Sequence, residues 1–272
     1  MNYAIFNINF FFIYFNKKKD CMENKKIILG LDVSTACIGY CLYMQDDEKE
    51  YGNIIKMGHI APKIPKDIKG IESLFVKKKI FNDDFLSNYK TYGIEKVVIE
   101  EPLLSSNNAN TVATLLRFNG MISDCVYCEL GIVPEYISSY DARKYAFPDL
   151  LCVRKFNKKG EHYPKKKLLN SLKKDELILF GSYPFDISKK LVMWNKVVEI
   201  YKDIDWVLDK KGELKKENFD ATDALIACLG YVHKSQYGEL EIKVTNIEEH
   251  EDKILYEVEY WGKKKNKEIY LD

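Results

Sequence analysis

The sequence predicts an α/β protein: one mixed five-stranded sheet with flanking helices, a basic insert and a small C-terminal β extension. Three observations predict it. Three strand-length apolar runs follow one another between residues 25 and 60, the mark of an antiparallel meander. Two further strands then alternate with helical segments, which demands crossover connections and helices packed on the sheet. The last 35 or so residues alternate apolar and polar as "LEIKVTNI", "ILYEVEYW" and "KEIYLD", a pattern of period two. With 46% hydrophobic and 31% charged residues among 272, the composition is that of a globular chain and excludes a disordered one. The formal charge of +1 leaves any polyanion site to local clustering of Lys and Arg.

The first 24 residues, "MNYAIFNINFFFIYFNKKKDCMEN", hold an aromatic apolar stretch too short for a membrane span. It has no basic region in front and no small-residue cleavage site, so it does not read as a secretion signal. Residues 1–24 are expected to lie outside the domain, with Met22 just ahead of the first strand. Seven scattered cysteines suit reduced thiols, and the expected location is cytoplasmic, not secreted, with no membrane partner. Cys125 and Cys128 have the spacing of half a zinc site, but nothing completes it, and they read as helix-packing thiols.

"KKIILGLDVS", "ACIGYCLYM" and "GNIIKMGHI" are the first three strands. Residues 67–91 read as helix, and "IEKVVIEEP" as a short buried strand stopped by Pro102. "NANTVATLLRFNGMISDCVYCEL" is amphipathic, with Val112, Leu115, Leu116, Ile122 and Val126 on one face. "GIVPEYISS" supplies a fifth strand, helical "YDARKYAF" follows, and the last clear helix is "NFDATDALIACLGYVHK".

Asp32 is a lone carboxylate in an otherwise apolar strand, and a buried unpaired charge is costly. Its partners are sought among Glu100, at the end of the fourth strand, and Asp220 and Asp223, three apart at the start of the last helix. Glu101, one residue beyond Glu100, points to the other side of its strand. Ala221, Ala224 and Ala227 let the helix approach other backbone closely. Singly, each acid has an ordinary reading: a helix cap, a first-turn acid favoured by the dipole, a solvated strand end. Together they would repel one another unless cations lay between them, and hard divalent ions suit oxygen ligands.

"ILGLDVSTACIGYCL", "KVVIEEPLLSSNNANTVATLLRFNGMI", "VPEYISSYDARKYAF" and "FDATDALIACLGYV" together resemble the RuvC group of Holliday junction resolvases, within the ribonuclease H-like superfamily. The resemblance covers residues 25–148 and 185–234, with the motifs in the family's order. It implies that Asp32, Glu100, Asp220 and Asp223 are the catalytic, metal-binding acids. It further implies two Mg2+ ions, with Mn2+ as a substitute, a homodimer, and symmetric nicking of four-way DNA junctions. The family often has an aromatic wedge where this chain has Leu103, a smaller apolar wedge with less stacking. Its basic DNA-contacting residues fall near Arg143, Lys144, Lys189 and Lys190.

Residues 149–184 exceed the family's usual connection. "RKFNKKGEHYPKKKLLNSLKK" is dense in cations, and Lys165, Lys166 and Lys167 suit phosphate contacts that position DNA without reading its sequence; the alternative is a solvated loop. The expected organisation is a nuclease domain over 25–235, carrying this insert, and a β extension over 236–272. One rival is another ribonuclease H-like nuclease acting on a different branched or RNA-containing substrate. A second is an ATP-binding protein, because "LGLDVSTACIGYCL" also resembles the first phosphate-binding hairpin of sugar kinases and actin-like ATPases. That class needs a second Gly-rich phosphate loop, which the sequence lacks. A catalytically silent DNA-binding module would lack one of the four acids.

Overall fold

Strand β1, Ile27–Val33, is buried along its length except at Asp32, because it has a neighbour on both edges and helices on both faces. The computed structural model describes residues 25–102 and 108–271; the expected N-terminal extension and Leu103 lie outside the described residues. β1 runs antiparallel to β2, Ile38–Met44, which runs antiparallel to β3, Asn53–Ile60. On its other edge β1 runs parallel to β4, Ile94–Glu100, and β4 parallel to β5, Glu135–Ile137. The order β3-β2-β1-β4-β5 is the mixed five-stranded sheet that the sequence predicts.

Strand parity divides the core in two. Leu29, Leu31 and Val33 of β1, with Val97 and Ile99 of β4, face helix α1, Gly70–Phe81, and helix α2, Ala109–Leu130. α1 continues through a π-helical turn, Asn82–Leu86, which buries Phe85 and Leu86 in the same cluster. Asn108 caps α2 by accepting from the Asn110 and Thr111 amides. The buried face of α2 is Phe118, Ile122, Cys125 and Val126, and Leu116 is 42% exposed. Leu116 lies two residues, about 200° of helix, before Phe118, so it cannot share that face. Cys128 is likewise exposed, and only Cys125 of that pair packs in the core.

Ile28 and Gly30 face the opposite side, where the closing helix α6, Glu217–Tyr237, lies directly on the sheet. Two glycines in strands make that approach possible. A Cβ at Gly30 would sit 2.2 Å from the Ala224 carbonyl oxygen, and one at Gly39 would sit 2.1 Å from that of Asp220. Helix α3, Ser139–Ala146, capped by the Ser138 side chain, packs on α6.

The basic insert is a folded unit. β6, Leu151–Val153, pairs antiparallel with β7, Leu177–Leu179, and helix α4, Lys165–Leu172, lies between them in sequence. Leu168 and Leu172 on α4 share a core with Ile254, Tyr256, Val258 and Tyr260 of the C-terminal antiparallel sheet, order β10-β9-β8. Those strands are β8, Ile242–Glu249, β9, Lys253–Tyr260, and β10, Lys263–Tyr270. Helix α5, Lys189–Ile200, begins at Ser188, whose side chain accepts from the Leu191 amide. Among the described residues, no helix is long and apolar enough to cross a membrane.

Candidate functional site

The register of the central strands brings Asp32 and Glu100 to the same end of the sheet. Leu31 pairs with Ile99 across the parallel β1 and β4, so the next residues, Asp32 and Glu100, lie side by side with equal parity. Asp32 also pairs with Gly39, and Gly39 is where the first turn of α6 touches the sheet. Asp220 and Asp223 are therefore delivered to the face that Asp32 occupies. Glu101, one position out of parity, is exposed.

The electrostatics show the convergence. Burial, then the charges of Glu100, Asp223 and Asp220, raise the Asp32 carboxyl well above its ordinary range. Burial and the Asp223 charge push Glu100 up to about 7, against the opposing pull of Arg143, a hydrogen bond from Ser139 and Lys190. Asp223 is 3% exposed. Such a group of acids in a poorly hydrated site holds its charge only with cations close by.

Two cations of the chain are close by. Arg143 Nη2 on α3 is 3.2 Å from Asp223 Oδ1. Lys190 Nζ, in the first turn of α5, is 3.3 Å from Asp223 Oδ2 and 3.5 Å from Asp220 Oδ1. Burial alone would lower the Lys190 ammonium, but Asp223, Asp220 and Asp32 outweigh it and hold it above its ordinary range. The family resemblance implies DNA contacts near Arg143 and Lys190; in the structure both side chains also lie against the acids. Lys144 Nζ lies 5.3 Å from the Tyr145 ring centre and Lys189 Nζ 6.0 Å from that of Phe180.

In the insert, Lys165 donates to the His250 carbonyl at 2.6 Å and lies 3.8 Å from Glu249, so it ties α4 to the C-terminal sheet. Lys167 covers the Tyr163 ring at 3.5 Å, and Lys166 is exposed.

Sequence reasoning missed two neighbours of the acids. Ser139 follows the helix cap after β5, and because Ile137 pairs with Glu100, its hydroxyl reaches that carboxylate. Cys37, in the β1–β2 turn, hydrogen-bonds Asp220; burial, then the Asp220 charge, pushes its thiol up. The turn itself is fixed by Ser34, whose hydroxyl donates to the Cys37 carbonyl at 2.8 Å. The available signal was the strand-turn-strand spacing of "DVSTACIG", which puts small residues wherever α6 must come near.

Among the described residues, no group of three or more His, Cys, Asp and Glu side chains is arranged to hold a metal ion. The donor chemistry nonetheless suits one. All four acids offer hard oxygen ligands, and the Lys190 and Arg143 cations lie 3.2 to 3.5 Å from oxygens of Asp220 and Asp223.

No protein-family model matches this chain. No curated protein matches it either. Among solved structures, it is similar to one titled "Thermus thermophilus RuvC structure", at 13% identity over 78% of this chain and 96% of that one, with a TM-score of 0.45. A second, "T. thermophilus RuvC in complex with Holliday junction substrate", gives 10% identity over 78% and 96%, with a TM-score of 0.47. An Aquifex aeolicus PPX-GPPA enzyme is similar at 14% identity over 45% of this chain and 39% of that one, with a TM-score of 0.30.

Proposed function

We propose that this protein is a metal-dependent endonuclease that cuts DNA phosphodiesters, acting as a homodimer on four-way junctions. The observation that supports the reading is the convergence of Asp32, Glu100, Asp220 and Asp223 at one end of the sheet, where Asp32 and Glu100 are both lifted by burial and by the neighbouring acids. In this reading residues 25–235 form the nuclease domain, and the free thiols suit a cytoplasmic location.

Asp32, Glu100, Asp220 and Asp223 would hold two magnesium ions, or manganese in their place, which supply Lewis-acid help to the attacking water and the departing oxygen. The chain's own groups do the rest. Arg143 and Ser139 favour the ionised form of Glu100, as does Lys190. Arg143 orients Asp223 through the hydrogen bond to its Oδ1. Lys190 brings a positive charge to the rim, where a phosphate would otherwise be repelled by the carboxylates.

The test is to incubate the protein with magnesium and labelled four-way, flap, duplex and RNA–DNA substrates, and to map the cuts. Paired symmetric nicks in the four-way junction, absent in Asp32→Asn, are expected. Cutting confined to flaps or hybrids would keep the nuclease and overturn the junction; no cutting of any substrate in magnesium or manganese would overturn both.

A further inference from the structure

A cleft of about 420 Å³ opens beside the acids. Its walls include Glu101 and Pro102 just beyond β4, Tyr140 and Arg143 on α3, Leu179 and Phe180 at the end of β7, and Lys189 at the start of α5, so two cations outnumber the one carboxylate. The volume lies within the roughly 300–1,000 Å³ usual for small-ligand sites. We propose that this cleft is a nucleobase pocket: it receives one unpaired base of the strand being cut, stacked on Tyr140 and Phe180, with Arg143 and Lys189 toward its phosphates. The proposal rests on the nuclease reading and names the substrate feature that such a site would select.

Continuity with the acids is the first support. Arg143 lines the cleft and also holds Asp223 at 3.2 Å. Ser139 touches Glu100, and its chain neighbour Tyr140 lines the cleft. A strand laid across the acids therefore has its adjoining nucleotide at the mouth of the cleft.

The aromatic walls are the second. Phe180 has φ of 62°, in the left-handed region that a bulky side chain rarely occupies. Such backbone strain persists only where the surroundings pin it, and it gathers at binding sites. Here the half-buried side chain is held by packing against the core of α6 and the core of the insert, and its remaining surface lines the cleft. Tyr140 is 53% exposed, beside a guanidinium and an ammonium. Aromatic faces with cations at the rim match the two parts of a nucleotide, a π-face and a phosphate.

Selectivity follows from access. A base inside a duplex reaches such a pocket only by leaving its stack, whereas a base in a flap or overhang is already unpaired, and one at the crossover of an open junction lacks a stacking neighbour on one side and so leaves its pair at less cost. Because Leu179 and Phe180 belong to the insert, the insert would take part in choosing the substrate through an apolar wall, in addition to any contact its lysines make.

The test measures binding of the full chain to three labelled probes in calcium, which withholds cleavage: a four-way junction, a duplex with a single-stranded overhang, and a blunt duplex. Junction and overhang carry 2-aminopurine at the unpaired or crossover position. Tyr140→Leu should weaken junction and overhang binding about tenfold, leave the blunt duplex within about twofold, and abolish a quenching of 2-aminopurine that the wild type shows. Phe180→Leu should act alike; if it fails to fold, because its ring joins two cores, the exposed Tyr140 decides alone. Equal weakening for all three probes, or quenching that persists in Tyr140→Leu, overturns the pocket and leaves a phosphate site only. Wild type that binds none of the probes overturns the nuclease reading. Wild type that binds all three, with Tyr140→Leu indistinguishable from it, overturns the pocket alone.

Discussion

The Lys190 ammonium stands 3.3 Å from Asp223 Oδ2, while Arg143 occupies the other oxygen of the same carboxylate at 3.2 Å. Asp223 is thus fully engaged by cations of its own chain, and Lys190 reaches Asp220 as well. In the proposed reading, a divalent ion entering the site would compete with that ammonium. Lys190→Met is expected to tighten Mn2+ binding about fivefold to tenfold, measured by calorimetry, and to lower the metal-free melting temperature, since the acids lose a counter-charge. Unchanged Mn2+ affinity would show that Lys190 does not occupy the metal's place.

Glu100 gives a pH signature in the metal-free protein. Its folded value, about 7, lies above the ordinary carboxylate value of 4.5, so between those limits the folded state binds more protons than the unfolded. Stability therefore falls as pH rises from about 4.5 to 7, and Asp32, also raised, adds in the same direction. Glu100→Gln should flatten the decline, with a melting temperature a few degrees above wild type at pH 8, where about 1 kcal/mol moves it by about 2–4 °C. A wild-type melting temperature that climbs steadily over that window would contradict the sign.

If Asp32 holds metal as proposed, Asp32→Asn should reduce cleavage by roughly 100-fold or more, because the loss of a ligand costs at least as much as the loss of its outer support. Junction binding, read by anisotropy in calcium, should stay within about threefold of wild type. Cleavage at the wild-type rate would remove Asp32 from the centre.

Gly39→Ala tests how the sheet sets the site. The added methyl would lie 2.1 Å from the Asp220 carbonyl oxygen, a backbone atom that moves only if α6 moves. Overpacking of this kind costs about 1–3 kcal/mol, and the lifted helix should carry Asp220 off its mark. Denaturant melts and Mn2+ titration should both show a loss; a fall in stability with intact metal affinity would mean that the acids tolerate a shifted helix.

The lysines of α4 should separate into two kinds. Lys166→Gln with Lys167→Gln should reduce the salt slope of DNA binding by about 2 if both meet phosphates. Lys165→Gln should instead weaken the hold of α4 on the C-terminal sheet and lower stability, because its ammonium is spent on His250 and Glu249. A slope that stays put in the double variant would make the segment an ordinary solvated face.

Local pattern was enough to place β1, β4 and α6, because alternation, an apolar run and small residues are properties of neighbours in sequence. The same is true of the parity that sets Glu100 with Asp32 and turns Glu101 outward. Apolar periodicity alone includes Leu116 in the stripe of α2, and only packing against β1 and β4 narrows that stripe to Phe118, Ile122, Cys125 and Val126. Lys190 and Arg143 could be read as basic but not as partners of Asp223, since that contact depends on where α3 and α5 dock. The insert read as a lysine-rich connection because its buried side, Leu168 and Leu172, is sparse and is covered by strands some 85 residues further along.

That shared core sets a timetable for the nascent chain. The apolar side of the insert is laid down with β6, α4 and β7, yet Ile254, Tyr256, Val258 and Ile269, which cover it, come last. At about 5 to 20 residues per second, Leu179 waits roughly 5 to 20 s before Ile269 is even made. During that interval the meander and β4 can already pair, while Leu168 and Leu172 face water or a chaperone. Synthesis halted near residue 240 would yield a chain holding all four acids but with the insert uncovered, and quality control would meet it as a proteolysis target.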